Sequence, residues 1–139
     1  ISMMVIAKLV RLAGGDQLHT GTAAGKMGGT TKKTREMVEI NDFLRGEWGG
    51  LKTTFPVASG GVHPGIVPVN VELLGKDIVI QAGGGIHGHP KGTRAGARAM
   101  RQAIDMVMKG ISLEEYSKTH EELHQAVEKW GYRFAETEK

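Results

Sequence analysis

Asp77-Ile78-Val79-Ile80-Gln81-Ala82, closed by Gly83-Gly84-Gly85, is the stretch on which the fold turns. A short apolar run between an acid and a glycine cluster predicts a strand buried on both faces, as in parallel sheets. The same grammar recurs twice upstream. Gln17-Leu18-His19-Thr20 is a short strand candidate that runs into Gly21-Thr22-Ala23-Ala24-Gly25-Lys26-Met27-Gly28-Gly29, and Thr53-Thr54-Phe55-Pro56-Val57-Ala58 is a strand that ends at Ser59-Gly60-Gly61. Pro56 argues against a regular central strand there, because proline donates nothing to the ladder.

Helical periodicity fills the intervals. Apolar residues recur with helical spacing over 3–13, stopping at Gly14-Gly15, and over 32–47, stopping near Gly49-Gly50. A short helix is expected over 65–74 with Gly75 behind it, a long one over 92–109, and another from Ser112 to about Trp130, where Ser112 precedes Glu115 as a capping box would. Residues 136–139 read as frayed. Strands alternating with helices imply an α/β fold with parallel strands and helical crossovers. In such folds the ligand lies beyond the carboxyl ends of the strands, so the three glycine-rich loops share one rim. Three strands are too few to close a barrel of eight, which takes about 250 residues. Ile1 leads straight into an apolar helical pattern with no capping residue read before it. The expectation is either an open sheet of unusual size or a segment of a larger barrel.

Composition narrows the function classes. The 139 residues are 40% hydrophobic and 24% charged, enough for one globular unit with a real core. Without cysteine there is no disulfide, zinc ribbon or thiol nucleophile, and a reducing, cytoplasmic setting is expected. No apolar run has the roughly 18–20 residues of a membrane span. The net charge of +3 is spread along the chain rather than gathered in a basic stripe, so no nucleic-acid or membrane partner is expected, whereas anionic small molecules suit it. The 21 glycines are about twice the usual 7%, and they cluster at the three strand ends.

Lys26 sits among Gly21, Gly25, Gly28 and Gly29, which puts an ammonium on a loop able to open and close over a developing anion, or else on a plain surface loop. A P-loop is excluded twice, by Thr20 where glycine is needed and by Met27 where a hydroxyl is needed. The turns at 59–61 and 83–85 would offer unobstructed backbone amides to a phosphate, or serve as simple tight turns. Gly83-x-Gly85-x-x-Gly88 formally matches a dinucleotide fingerprint, but Pro90 follows and no later strand completes the unit. His19, ending the first strand, could donate to a phosphate or play a structural part. His87 and His89 would face one way if extended, with no third metal ligand evident. His120-Glu121-Glu122-Leu123-His124 satisfies the zinc-protease pattern on an expected helix, yet Tyr116, Leu123, Val127 and Trp130 make that helix an ordinary peripheral one.

Three motifs in order, DQLHTGTAAGKMGG (16–29), FPVASGGVHPG (55–65) and IVIQAGGGIHGHPKG (78–92), resemble the large subunit of ribulose-1,5-bisphosphate carboxylase/oxygenase. The resemblance covers almost the whole chain, and the opening and closing stretches look like the form III group of archaea. It implies a fold in which this chain supplies the sixth, seventh and eighth strands, with their helices, of a TIM (β/α)8 barrel that follows a small amino-terminal domain. It implies that Lys26 is the catalytic lid lysine that stabilises the carboxylated intermediate and its transition state. His19 is implied near the phosphate on carbon 5, Ser59 on the sugar, and Gly60, Gly61, Gly83 and Gly84 as amide donors to the other phosphate, with Gln81 beside them.

The implied substrates are ribulose-1,5-bisphosphate with CO2 or O2, and the implied metal is Mg2+, whose ligands in the family lie upstream of Ile1. The chain alone is therefore expected to be inactive and to need that upstream part as a partner. A shared active site implies a dimer or a ring of dimers. The sequence departs from the family at Gly28, where an acid is common, at Ala23-Ala24, where a bulkier pair is usual, and at Ile86-His87, where Thr-Leu is frequent. The first two imply a looser lid. A RuBisCO-like protein enolising another phosphorylated sugar, and a silent phosphate-binding fragment, are the alternatives.

Overall fold

The structure, a computed structural model, describes residues 1–23 and 31–133. Lys26, Gly25, Gly28 and Ala24 lie outside the described residues. Helix α1 (Met3–Leu12) begins at Ser2, whose Oγ accepts the amide of Val5 at 3.4 Å. This corrects the reading of an uncapped start: serine in extended backbone is an N-cap, one residue ahead of the apolar pattern. The buried face of α1 holds Ala7 and, unexpectedly, Arg11, which is 2% exposed. Its guanidinium donates to the carbonyls of Phe43, Leu51 and Lys52 and lies over the rings of Phe43 and Trp48. Phe43 belongs to the last turn of α2 (Thr31–Arg45), where unpaired carbonyls favour a cation.

Three parallel strands, β1 (Gln17–Gly21), β2 (Phe55–Ala58) and β3 (Val79–Ile80), form one sheet in that order. Pro56 is thus in the central strand after all. The Phe55 amide donates to Asp16 O on the β1 side, so the proline nitrogen faces the β3 side. Pairing with β3 begins only at Val57, and the missing donor is not needed. A corresponding correction applies to β3. The run 77–82 pairs over two residues, and Ile78, Val79 and Ile80 are half-buried rather than buried on both faces. Among the described residues β3 has a strand on one side only, and a largely apolar groove of about 180 Å³ runs beside it, lined by Val71, Ile78, Ile80, Ile104, Val107 and Met108 together with Lys76.

A single 3-10 turn (Pro64–Ile66) and α3 (Val67–Leu74) follow β2, and Gly75 ends the helix at φ 84°. After β3 the triple glycine does not stay a loop, as expected, but enters the four-residue helix α4 (Gly84–His87). Helix α5 (Thr93–Lys109) is next. The helix expected from Ser112 to about Trp130 is two, α6 (Leu113–Ser117) and α7 (Glu121–Trp130). The break comes where His120 leaves helical backbone and folds its ring onto Tyr116, centroids 3.7 Å apart, with Nδ1 2.8 Å from Tyr116 O. Ser112 does cap α6, accepting the Glu115 amide at 3.2 Å. The main core joins the turn after β2 to α3, α5, α6 and α7 through Val62, Ile66, Val67, Met106, Tyr116 and Leu123. No helix among the described residues is long and apolar enough to cross a membrane.

Candidate functional site

Parallel strands in register place their carboxyl ends together. His19 and Ser59, 40 residues apart in sequence, meet there: His19 Nδ1 lies 3.0 Å from Ser59 Oγ. The backbone ties the same edge, with Ser59 N donating to Gly21 O at 3.1 Å and Gln81 N to Ala58 O at 2.9 Å. His19, Gly60, Gly61, Gln81, Gly83 and Gly84 are all exposed, and Ser59 is half-buried. Seven of the residues expected at the rim thus line one solvent-facing edge, while Lys26 lies outside the described residues.

The glycines of this rim are not equivalent. Gly60 and Gly61 have φ of 95° and 73°, a backbone that favours glycine on conformational grounds alone. Gly85 is fixed by packing, since a methyl there would sit 2.1 Å from Val62 O. Gly83 and Gly84 need glycine for neither reason: Gly83 has φ −103°, neither residue is at positive φ, and nothing described lies within 4 Å of an added Cβ on either. They stand at the start of α4, where the first amides of a helix have no partner within it and point outward. Free amides on glycines with open space beside them suit an anion.

Sequence reasoning missed two supporting residues. Asn70, fully buried on α3, accepts from Thr22 Oγ1 (2.7 Å) and from the Ala23 amide (2.9 Å) through Oδ1, while Nδ2 donates to Ile66 O (2.9 Å). It fixes the exit of β1. Its signal was a lone amide in the apolar stretch 66–74. The other is His63, directly after the 59–61 turn, stacked on Trp130. Burial, with the Arg133 charge second, holds its imidazole below the usual pKa.

The metal motifs separate. His120 precedes α7 and turns back to Tyr116, whereas His124 pairs with Glu128 at 3.5 Å on the exposed face. His89 is buried, its Nε2 2.9 Å from Glu122 O and its Nδ1 accepting the Lys91 amide, while His87 Nδ1 is 3.2 Å from Thr93 Oγ1. Among the described residues no three His, Asp or Glu gather to hold a metal.

The profile of the ribulose bisphosphate carboxylase large chain catalytic domain matches residues 1–130. The ribulose bisphosphate carboxylase of Pyrococcus furiosus is 55% identical over 132 residues, covering 95% of this chain and 31% of that protein. Among solved structures, the octameric ribulose-1,5-bisphosphate carboxylase/oxygenase of Pyrococcus horikoshii superposes with TM-score 0.87 at 50% identity over 94% of this chain and 31% of that one. The dimeric archaeal Rubisco of Hyperthermus butylicus gives 0.83 at 44%, over 95% and 33%. A rubisco-like protein of Alicyclobacillus acidocaldarius gives 0.78 at 40%, over 92% and 32%. The chain therefore spans about a third of the length of its relatives. With a matching profile over nearly all of its length and a rim of strand-end glycines to go with it, this chain belongs to the ribulose bisphosphate carboxylase large chain family.

Proposed function

We propose that this chain is the carboxyl-terminal segment of a (β/α)8 barrel that carboxylates and oxygenates ribulose-1,5-bisphosphate, and that it supplies the phosphate rim and the lid lysine. The observation that carries the reading is the pair of glycines, Gly83 and Gly84, that neither conformation nor packing among the described residues requires, on the edge where His19 meets Ser59. In this reading the amides of Gly60, Gly61, Gly83 and Gly84 hold one phosphate, with Gln81 beside them. His19 faces the other phosphate and Ser59 the sugar. Lys26 brings a cation to the carboxylate that forms on the substrate, the kind of stabilisation a preorganised charge gives best in a closed site.

Among the described residues no group of His, Asp or Glu offers a Mg2+ site. Its ligands belong to the portion of the relatives that this chain does not span. The same holds for the remaining strands, so turnover requires that portion, and the assembly is a dimer or a ring of dimers in keeping with the dimeric and octameric relatives.

The test is to assay carboxylation by the 139-residue chain alone and again after joining it to the preceding portion of a close relative. No turnover alone and 3-phosphoglycerate from the joined protein are expected, with Lys26→Met lowering kcat by about a hundredfold or more. Turnover by the isolated chain would refute the division of labour. Enolisation of another sugar phosphate without CO2 incorporation by the joined protein would favour the rubisco-like reading, which the similarity to such a protein keeps in play.

A further inference from the structure

We infer that His63 is a positioning residue for the phosphate rim: its ring, packed face to face on Trp130, holds the 59–61 turn against the 83–85 turn. The inference rests on the phosphate reading above and adds a residue to it. The two turns touch immediately behind the open amides, where a methyl on Gly85 would lie 2.1 Å from Val62 O, 2.7 Å from His63 Cα and 3.0 Å from His63 Cβ. Nothing in that contact is a hydrogen bond, so its spacing depends on what presses the two backbones together.

Trp130 is placed to do so. Its ring stacks on His63 with centroids 5.7 Å apart and planes 24° apart, and its centroid lies 6.5 Å from that of the tilted His89 ring. It also lies 3.3 Å from where a Cβ on Gly88 would be, so one indole spans the segments that follow both turns. The backbone beyond it closes the clasp. Arg133 N donates to Gly65 O at 3.2 Å, Gly65 abuts the Gly131 carbonyl too closely for any side chain, and Lys129 Nζ donates to Gly88 O.

His63 contributes its faces rather than its nitrogens. Nδ1 is buried and has no hydrogen-bond partner among the described residues. The charge that acts on the ring is that of Arg133, and a second cation, Lys129, lies over the Trp130 ring on which it stacks. A neutral ring is the form such a place accepts.

The experiment uses the complete protein containing this segment, with ribulose-1,5-bisphosphate as substrate and inorganic phosphate as an independent probe. His63→Ala and Trp130→Ala are each expected to raise KM for the bisphosphate about tenfold while kcat stays within about twofold, the pattern of lost binding rather than lost chemistry. His63→Phe, which keeps the flat face and discards both nitrogens, is expected to restore KM to within about twofold. The double alanine variant is expected to be no worse than either single one. An unchanged KM in His63→Ala overturns the inference. So does a His63→Phe variant as weak as alanine, which would make a ring nitrogen the acting group. If the unsubstituted protein does not turn over the bisphosphate, the functional reading fails by itself. The positioning role is then read from thermal stabilisation by inorganic phosphate, expected in the unsubstituted protein and His63→Phe and lost in His63→Ala; any other ranking overturns it.

Discussion

Gly83, Gly84 and Gly85 are adjacent in sequence and identical in chemistry, yet they stand in different physical situations. Gly85→Ala must push a methyl into the Val62 carbonyl, and we expect a loss of about 3 kcal/mol in urea unfolding. Gly83→Ala and Gly84→Ala enter open space at ordinary φ, so their stability should change by no more than about 0.5 kcal/mol. Phosphate affinity should fall in both, because the methyl then occupies the space over the amides. A large loss of stability in either would show that the opening is not there. His63 ties the stability of the fold to pH. Burial and Arg133 depress its pKa, so the unfolded chain takes up a proton near the ordinary value of 6.5 before the folded one does. Stability is therefore complete above that value and declines as pH falls below it toward the lower folded pKa. Urea midpoints measured from about pH 7 down to pH 5 should slope downward, and His63→Phe should flatten that slope.

At the scale of elements, the strands and helices that position the rim were legible because their signals are local. Short strand candidates running into glycine gave β1 and β2 their places, and Ser112 three residues before Glu115 marked the start of α6. What escaped sequence reading was set by tertiary partners. The break between α6 and α7 depends on His120 finding the face of Tyr116, and periodicity carries straight across it. The half-buried state of β3 depends on which strand lies beside it, not on its own apolar run. Of the site, the exposed rim residues were read through the family motif. Asn70 and His63 were not, because their roles consist of contacts to Thr22, Ala23 and Trp130 far along the chain. Asn70 ties α3 to the end of β1, and removing its side-chain amide takes the acceptor from the buried Ala23 N–H and one hydrogen bond from the half-buried Thr22 hydroxyl. Asn70→Ala is therefore expected to destabilise by about 2 kcal/mol, read by thermal unfolding, whereas Ser112→Ala should lose about 1 kcal/mol, the usual worth of an N-cap.

For the whole molecule, the decisive quantity is apolar surface left uncovered. A parallel sheet is normally covered on both faces and closed or flanked at its edges. Here β1 and β3 each pair on one side only among the described residues, and the groove beside β3 is largely apolar. Val5, Leu9 and Leu12 of α1 stand out on one helix, and Phe55 and Met108 are 51% and 58% exposed. Clusters of exposed apolar residues of this kind mark interaction surfaces, and scattered single ones do not. The relatives are about three times longer, so the surplus polypeptide is the natural cover under the barrel reading. The 139-residue chain alone is then expected to bind an apolar fluorescent dye and to associate with itself. Joined to the preceding portion of a close relative, it should lose most of that dye binding and unfold at a higher temperature. If the isolated chain is monomeric, binds no dye and melts no lower than the joined protein, its edges need no cover, and an open three-stranded sheet complete in itself is the better description.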